Sequence, residues 1–199
     1  MPDRAHLTAL IALDTELETL PLASWAVSKL RTELQARGVS TRIAQEEAGS
    51  GATVVVRCEL ADVDAAPESF AIDTGAQVVV RAGEPRGLAY GLTELADRVR
   101  YAEDPVAAMQ AADSRPRTPA AAVRGVLRAF SSDVLDRRWL CDHDFWTSYL
   151  DELATHRINR LHLAFGMQYN YSHDLDVRDN YLCFAYPYLL EVPGWEGVG

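Results

Sequence analysis

Two short runs decide the fold: VRGVLRAF, from Val123 to Phe130, and RLHLAF, from Arg160 to Phe165. Each is apolar and long enough for one buried strand. Between them Asp142 is placed to cap a helix, with Asp144 in its first turn. Phe145, Tyr149, Leu150, Leu153 and Arg157 then share one helical face, and His156 and Arg157 suit the negative C-terminal end. Ser131 to Leu140 reads as a loop. Strand, helix and strand form a β-α-β unit, which needs about 30 residues or more. Connection rules make its strands a right-handed parallel pair.

Working back from Val123, Glu103 to Pro119 carries Asp104-Pro105, Arg115-Pro116 and Thr118-Pro119 without an apolar period. It reads as an interdomain linker. Before it, Glu84 to Arg100 is a helix with Pro85 near its first position and Leu88, Leu92, Leu95 and Val99 at helical spacing. Gly87 and Gly91 leave one face bare, so a strand can approach closely. Glu68 to Asp73 and Gln77 to Ala82, joined at Thr74-Gly75, make a hairpin. Leu7 to Leu13, Val39 to Ala44 and Ala52 to Leu60 add strands, and Leu22 to Arg37 a helix stopped at Gly38. The fold class is therefore α/β. A small α/β sandwich with a mixed sheet spans 1–102, the linker 103–119, and the first β-α-β unit of an unfinished barrel 120–199.

The chain has 199 residues, with 19 basic against 29 acidic side chains and a net charge of −10. So acidic a surface repels phosphate backbones, which argues against a nucleic-acid partner. No apolar run approaches the ~20 residues of a membrane span, and the N-terminus lacks a signal-peptide pattern. Cys58, Cys141 and Cys183 are odd in number and far apart, so free and mostly buried thiols are expected. That pattern suits a reducing, cytoplasmic setting.

The run from Pro67 to Arg100 resembles the small domain that precedes the barrels of β-N-acetylhexosaminidases and α-glucuronidases. The resemblance lies in an SF-x-I strand, a V-x-V-x-A strand, and a helix start carrying Arg86, Gly87, Leu88, Tyr90, Gly91, Leu92, Glu94 and Leu95. Val123 to Val126 resembles the first barrel strand of the hexosaminidase type, and Leu153 to Leu163 the first barrel helix entering the second strand. The resemblance implies a glycoside hydrolase with a (β/α)₈ barrel and a carbohydrate substrate. It also implies that Arg124, of the Arg-Gly pair, binds sugar hydroxyls. The following Leu127-Arg128-Ala129-Phe130 departs from the family's acidic continuation.

Barrel enzymes build their sites at the C-terminal ends of strands. Here those ends are Arg128 to Ser132 and Ala164 to Asn170. Gln168, Tyr169, Asn170 and Tyr171 supply amides that read hydroxyls and ring faces that stack on sugars, and with Arg124 they are the substrate-binding candidates. His173, Asp174 and Asp176 follow in the same Tyr-, Asp- and Asn-rich stretch, which reads as a long βα loop. His143, His156, His162 and His173 lack metal-ligand spacing, no G-x-S-x-G elbow occurs, and no cofactor is implied. Glycoside hydrolysis needs carboxyl groups that the resembled families carry on later strands. A barrel takes roughly 250 residues, so the catalytic acids are expected outside this chain and none is assigned within it.

Three readings follow. The chain is the N-terminal fragment of a glycoside hydrolase and inactive alone; or it is a non-catalytic carbohydrate-binding or interaction module; or it is an α/β enzyme of unrelated chemistry, which needs an acid–base pair that the sequence does not display. An unfinished barrel further implies self-association through its open strands.

Overall fold

The computed structural model of the chain describes residues 7–13, 15–45, 51–63, 66–111, 113–130 and 133–165. They fall into two compact units, divided between Ala122 and Val123.

The first unit opens with strand β1 (Thr8–Ala12), the short α1 (Thr15–Glu18), helix α2 (Pro21–Ala36) and strand β2 (Ser40–Ala44). Pro21 occupies the start of α2, where a missing N–H costs nothing. Gly38, at φ +79°, takes the left-handed conformation that releases the chain into β2. Strands β3 (Val54–Leu60), β4 (Phe70–Thr74) and β5 (Val78–Ala82) follow, then helix α3 (Pro85–Tyr101). β1 pairs in parallel with β2 and β3, and β3 pairs in parallel with β5. β4 runs antiparallel to β5, with Phe70 opposite Ala82, which is the expected hairpin. On β3, Val54, Val56 and Cys58 are buried while Arg57 and Glu59 pair on the other side, so the strand alternates as a half-buried strand should. Leu30 and Leu34 of α2 and Leu88, Leu92, Leu95 and Val99 of α3 share one core with these strands. The result is the two-layer sandwich on a mixed sheet that the sequence implies.

The linker expectation fails. Helix α4 (Pro105–Gln110) and strand β6 (Asp113–Arg117) occupy that stretch, and β6 pairs with β4, completing a six-stranded sheet of order β2-β1-β3-β5-β4-β6. Asp104 caps α4 through the Val106 and Ala107 N–H groups, and Met109 is wholly buried. Pro116 is tolerated because β6 lies at the sheet edge. The first unit thus reaches Ala122 rather than ending at 102.

Two close approaches fix α3 on the sheet. A Cβ at Gly87 would fall on the Ser69 carbonyl oxygen, and one at Gly91 on Val80 Cγ1 and within 3.3 Å of Phe70 Cδ2. Just before β4, Glu68 is buried at φ +65°. Its N–H donates to Glu84 Oε1 at 2.8 Å, and its own Oε1 accepts from Arg86 Nη1 at 2.8 Å. That hydrogen bond to Glu68 raises the Arg86 pKa further, against the opposing effect of partial burial.

The second unit is the expected β-α-β. Strands β7 (Gly125–Phe130) and β8 (Arg160–Phe165) pair in parallel over six residues, from Gly125 opposite Arg160 to Phe130 opposite Phe165. Helix α6 (His143–Thr155) lies between them in sequence, and Asp142 caps it by accepting from the Asp144 and Phe145 N–H groups. The stretch read as a loop instead contains helix α5 (Asp133–Leu140). Leu135 and Trp139 stand four apart in it, a signal that the two serines at 131 and 132 obscure. Among the described cysteines, neither Cys58 nor Cys141 is in a disulfide; Cys58 is buried as expected, but Cys141 is exposed because it follows α5 at the surface.

Candidate functional site

Alternation along β7 divides its side chains between two faces. Gly125, Leu127 and Ala129 form one row, and Leu127 is 63% exposed. Val126, Arg128 and Phe130 form the other, which meets the helices.

On the helix side an aromatic cluster surrounds Arg128. Phe130, almost fully buried, stacks on Trp139 of α5 with ring centroids 4.6 Å apart and planes 20° from parallel. The Arg128 guanidinium carbon lies 3.7 Å from the Trp139 ring centroid, 4.9 Å from Phe145 and 5.2 Å from Tyr149. Phe145 and Tyr149, one turn apart on α6, stack on each other at 5.4 Å. Trp146 meets Trp139 and Phe145 edge-on. The indole N–H groups are satisfied, Trp139 donating to Asp136 Oδ1 and Trp146 to the Leu140 carbonyl, each at 2.8 Å. The four helix aromatics remain half-buried. Arg128 Nε is sealed from solvent and has no hydrogen-bond partner among the described residues. Three ring faces stabilise a cation but offer its N–H groups no acceptor in their plane.

Arg124 sits elsewhere. It immediately precedes β7, so it lies at the strand's N-terminal end, opposite to the end where barrel sites form. Its Nε donates to the Arg157 carbonyl at 2.7 Å, and its N–H donates to Asn159 Oδ1 at 2.9 Å. Its carbonyl accepts from the Asn159 and Arg160 N–H groups. Arg157 closes α6 at φ +60°, with its N–H bonded to Ala154 and the Ile158 N–H to Leu153, the paired bonds of a Schellman motif. Arg124 therefore clasps the turn between α6 and β8. Gln168, Tyr169, Asn170 and Tyr171 lie outside the described residues.

The sequence reading missed the Arg128 cluster because α5 went unread, and with it Trp139. The signal present was Phe145 and Tyr149 at i, i+4 spacing after an arginine-bearing strand. In the first unit, a depression of about 350 Å³ is lined mainly by α2, with Leu13, Val27 and Ile43 as apolar and Glu18 and Arg31 among its polar lining. It has no aromatic face. Among the described residues, no cluster of His, Cys, Asp and Glu is arranged to hold a metal, and no helix is long and apolar enough to cross a membrane.

No family model and no curated protein sequence matches the chain. Solved structures do, glycoside hydrolases among them. A GH138 enzyme targeting pectin rhamnogalacturonan II matches 79% of this chain with a TM-score of 0.63 at 18% identity. A GH115 4-O-methyl-α-glucuronidase with specificity for decorated arabinogalactans matches 81% with a TM-score of 0.58 at 12% identity. A GH20 exo-β-N-acetylglucosaminidase from Vibrio harveyi matches 80% with a TM-score of 0.52 at 15% identity. The matches cover 24%, 26% and 22% of those enzymes, so the chain spans about a quarter of their length. The shared region is the N-terminal portion of enzymes whose later part is a barrel.

Proposed function

We propose that the chain is the N-terminal part of a glycoside hydrolase that cleaves O-glycosyl bonds, hexosaminidase-like or α-glucuronidase-like. Its first unit is the domain before the barrel, and its second is the opening β-α-β of a (β/α)₈ barrel. The observation that supports this best is the parallel β7–β8 pair following a six-stranded mixed sheet, in a chain about 80% of which is similar in fold to parts of three such enzymes. Carbohydrate is the substrate, and Gln168, Tyr169, Asn170 and Tyr171, which follow β8 in sequence, contact it. The carboxyl groups that perform hydrolysis belong to strands after β8. Cys58 and Cys141, neither of them in a disulfide, fit the cytoplasm, a placement that cell fractionation tests. Purified as these 199 residues, the protein should fail to turn over chromogenic glycosides, and a product extended by further β-α repeats should succeed. Turnover by the 199-residue chain overturns the reading.

The cluster around Arg128 favours one alternative, a module that binds carbohydrate without cleaving it. Under that reading the chain binds glycans, and no extension of it confers turnover.

A further inference from the structure

We infer that the outer edge of β2, with the groove beside it, binds an extended segment of a partner protein as an added antiparallel strand. The residues of that segment facing the groove run basic, large aliphatic, acidic at alternate positions. The inference goes beyond the glycoside hydrolase reading and does not depend on it.

Among the described residues β2 pairs with β1 alone and borders the sheet. The Ser40 N–H donates to the Leu7 carbonyl, and the Ala44 carbonyl accepts from the Leu13 N–H. Backbone groups alternate in direction along a strand, so those of Ser40, Arg42 and Ala44 point to β1. Those of Thr41 and Ile43 point outwards, where a further strand can bond them. The two edges of the sheet differ. β6 carries Pro116, which has no N–H, and the charges of Asp113, Arg115 and Arg117, features that stop an edge from pairing. β2 has no proline, and its register with β1 is unbroken. Its one charged residue, Arg42, stands in register with Leu10, outside the core under the helices, whereas Ile43 stands in register with core Ile11.

On that helix side lies the depression lined by α2. Leu13 and Val27 are buried in its wall and Ile43 is 41% exposed at its border, an apolar seat for one aliphatic side chain. Its ends carry opposite charge. Arg31 Nε donates to Thr41 Oγ1 at 3.3 Å, and Gln45 Nε2 donates to Glu18 Oε2 at 3.1 Å. Arg31 thus marks the Thr41 end and Glu18 the Gln45 end, about 13 Å away along an extended chain. Neither has an ion-pair partner among the described residues. In an antiparallel pair, the more stable pairing per residue, the added strand enters at the Gln45 end. Its basic residue then meets Glu18, the aliphatic residue two positions on lies beside Ile43, and the acidic residue two further on meets Arg31. A second copy of this chain fits less well. Paired through the same edge, it offers Thr41, Ile43 and Gln45 to the groove, all uncharged, and two chains of net charge −10 repel.

The test pairs the 199-residue chain with a synthetic peptide, acetyl-Thr-Lys-Thr-Leu-Thr-Glu-Thr-amide, and with the same peptide after exchange of its lysine and glutamate. Fluorescence anisotropy of the labelled peptides measures affinity, and amide hydrogen exchange locates the contact. The first peptide should bind about tenfold tighter than the second, the worth of two partly exposed charge contacts turned from attraction to repulsion. It should slow exchange at Thr41 and Ile43. Methylating the peptide nitrogens that face β2 should abolish binding, since side-chain contacts alone do not hold an added strand. The double variant Glu18→Arg, Arg31→Glu should reverse the order of the two peptides. If that variant fails to fold, the methylated peptide decides, and binding that survives methylation overturns the proposal. Equal affinity for the two peptides, a preference for the exchanged one, no binding at millimolar peptide, or unchanged exchange at Thr41 and Ile43 also overturns it. So does dimerisation that slows the same two amides without peptide, which assigns the edge to a second copy.

Discussion

At the scale of single residues, the helix glycines behave as the bare face read from RGLAYGL implies. They are not equivalent, however. Gly87 meets backbone, the Ser69 carbonyl, which cannot yield, whereas Gly91 meets the end of the Val80 side chain. Gly87→Ala should therefore cost about 1–3 kcal/mol despite the better helix propensity of alanine, and Gly91→Ala less. Urea unfolding of the two variants checks the order. Glu68 permits a second comparison. Removing its carboxylate breaks the contact with Arg86 in both Glu68→Ala and Glu68→Gly, but only glycine relieves the positive φ. Glu68→Gly should be more stable than Glu68→Ala by about 1 kcal/mol in the same assay. Arg124 shows where single-residue reading stopped. Its partner, the Arg157 carbonyl, is turned towards it by a left-handed residue 33 positions on, and nothing in the Arg-Gly pair announces that. Arg124→Met should lower the melting temperature by the loss of about 1 kcal/mol and leave sugar binding unchanged. Lost sugar binding with unchanged stability would return Arg124 to the substrate.

At the scale of elements, what was legible is what carries an apolar period. α2, α3, α6 and the strands β3, β5, β7 and β8 stand close to where the spacing of Leu, Val and Phe puts them. Elements held by tertiary contact alone were not legible. β6 reads Asp-Ser-Arg-Pro-Arg, with no β-branched residue, and is a strand because β4 offers it an open edge. α4 is only six residues long, too short to be stable in isolation, and is fixed by its Asp104 cap and by buried Met109. The second unit depends on caps more heavily than the first. α6 buries none of its residues completely, and Leu150, expected on its covered face, is 47% exposed. With little burial to hold the helix, the two N–H groups bonded by Asp142 weigh more. Asp142→Ala should cost about 1 kcal/mol, and hydrogen exchange should quicken along α6 while α3 is unaffected. Equal protection of α6 in the variant and the parent would show that packing, not the cap, holds it.

At the scale of the whole molecule, the two units differ in how far each completes its own core. In the first, Leu30, Leu34, Leu88, Leu92, Leu95 and Val99 are sealed against the sheet. Among the described residues of the second, Phe130 of β7 alone is buried, while Leu127 is 63% exposed, Val123 54% and Leu163 37%. Among the described residues, the two parallel strands have both outer edges unpaired and Leu127 exposed on the face away from the helices, an unusual end state, since parallel sheets are covered on both faces. The same features are expected if further strands and helices close over this unit in a longer protein. On its own the chain should cover the Leu127 row by self-association. Sedimentation at rising concentration should show dimers or larger species, and Leu127→Lys should shift them towards monomer without altering the melting of the first unit. A monomer at every concentration would mean that the exposed row needs no cover. The unit would then be stable as it stands, and the binding-module reading would gain over the barrel.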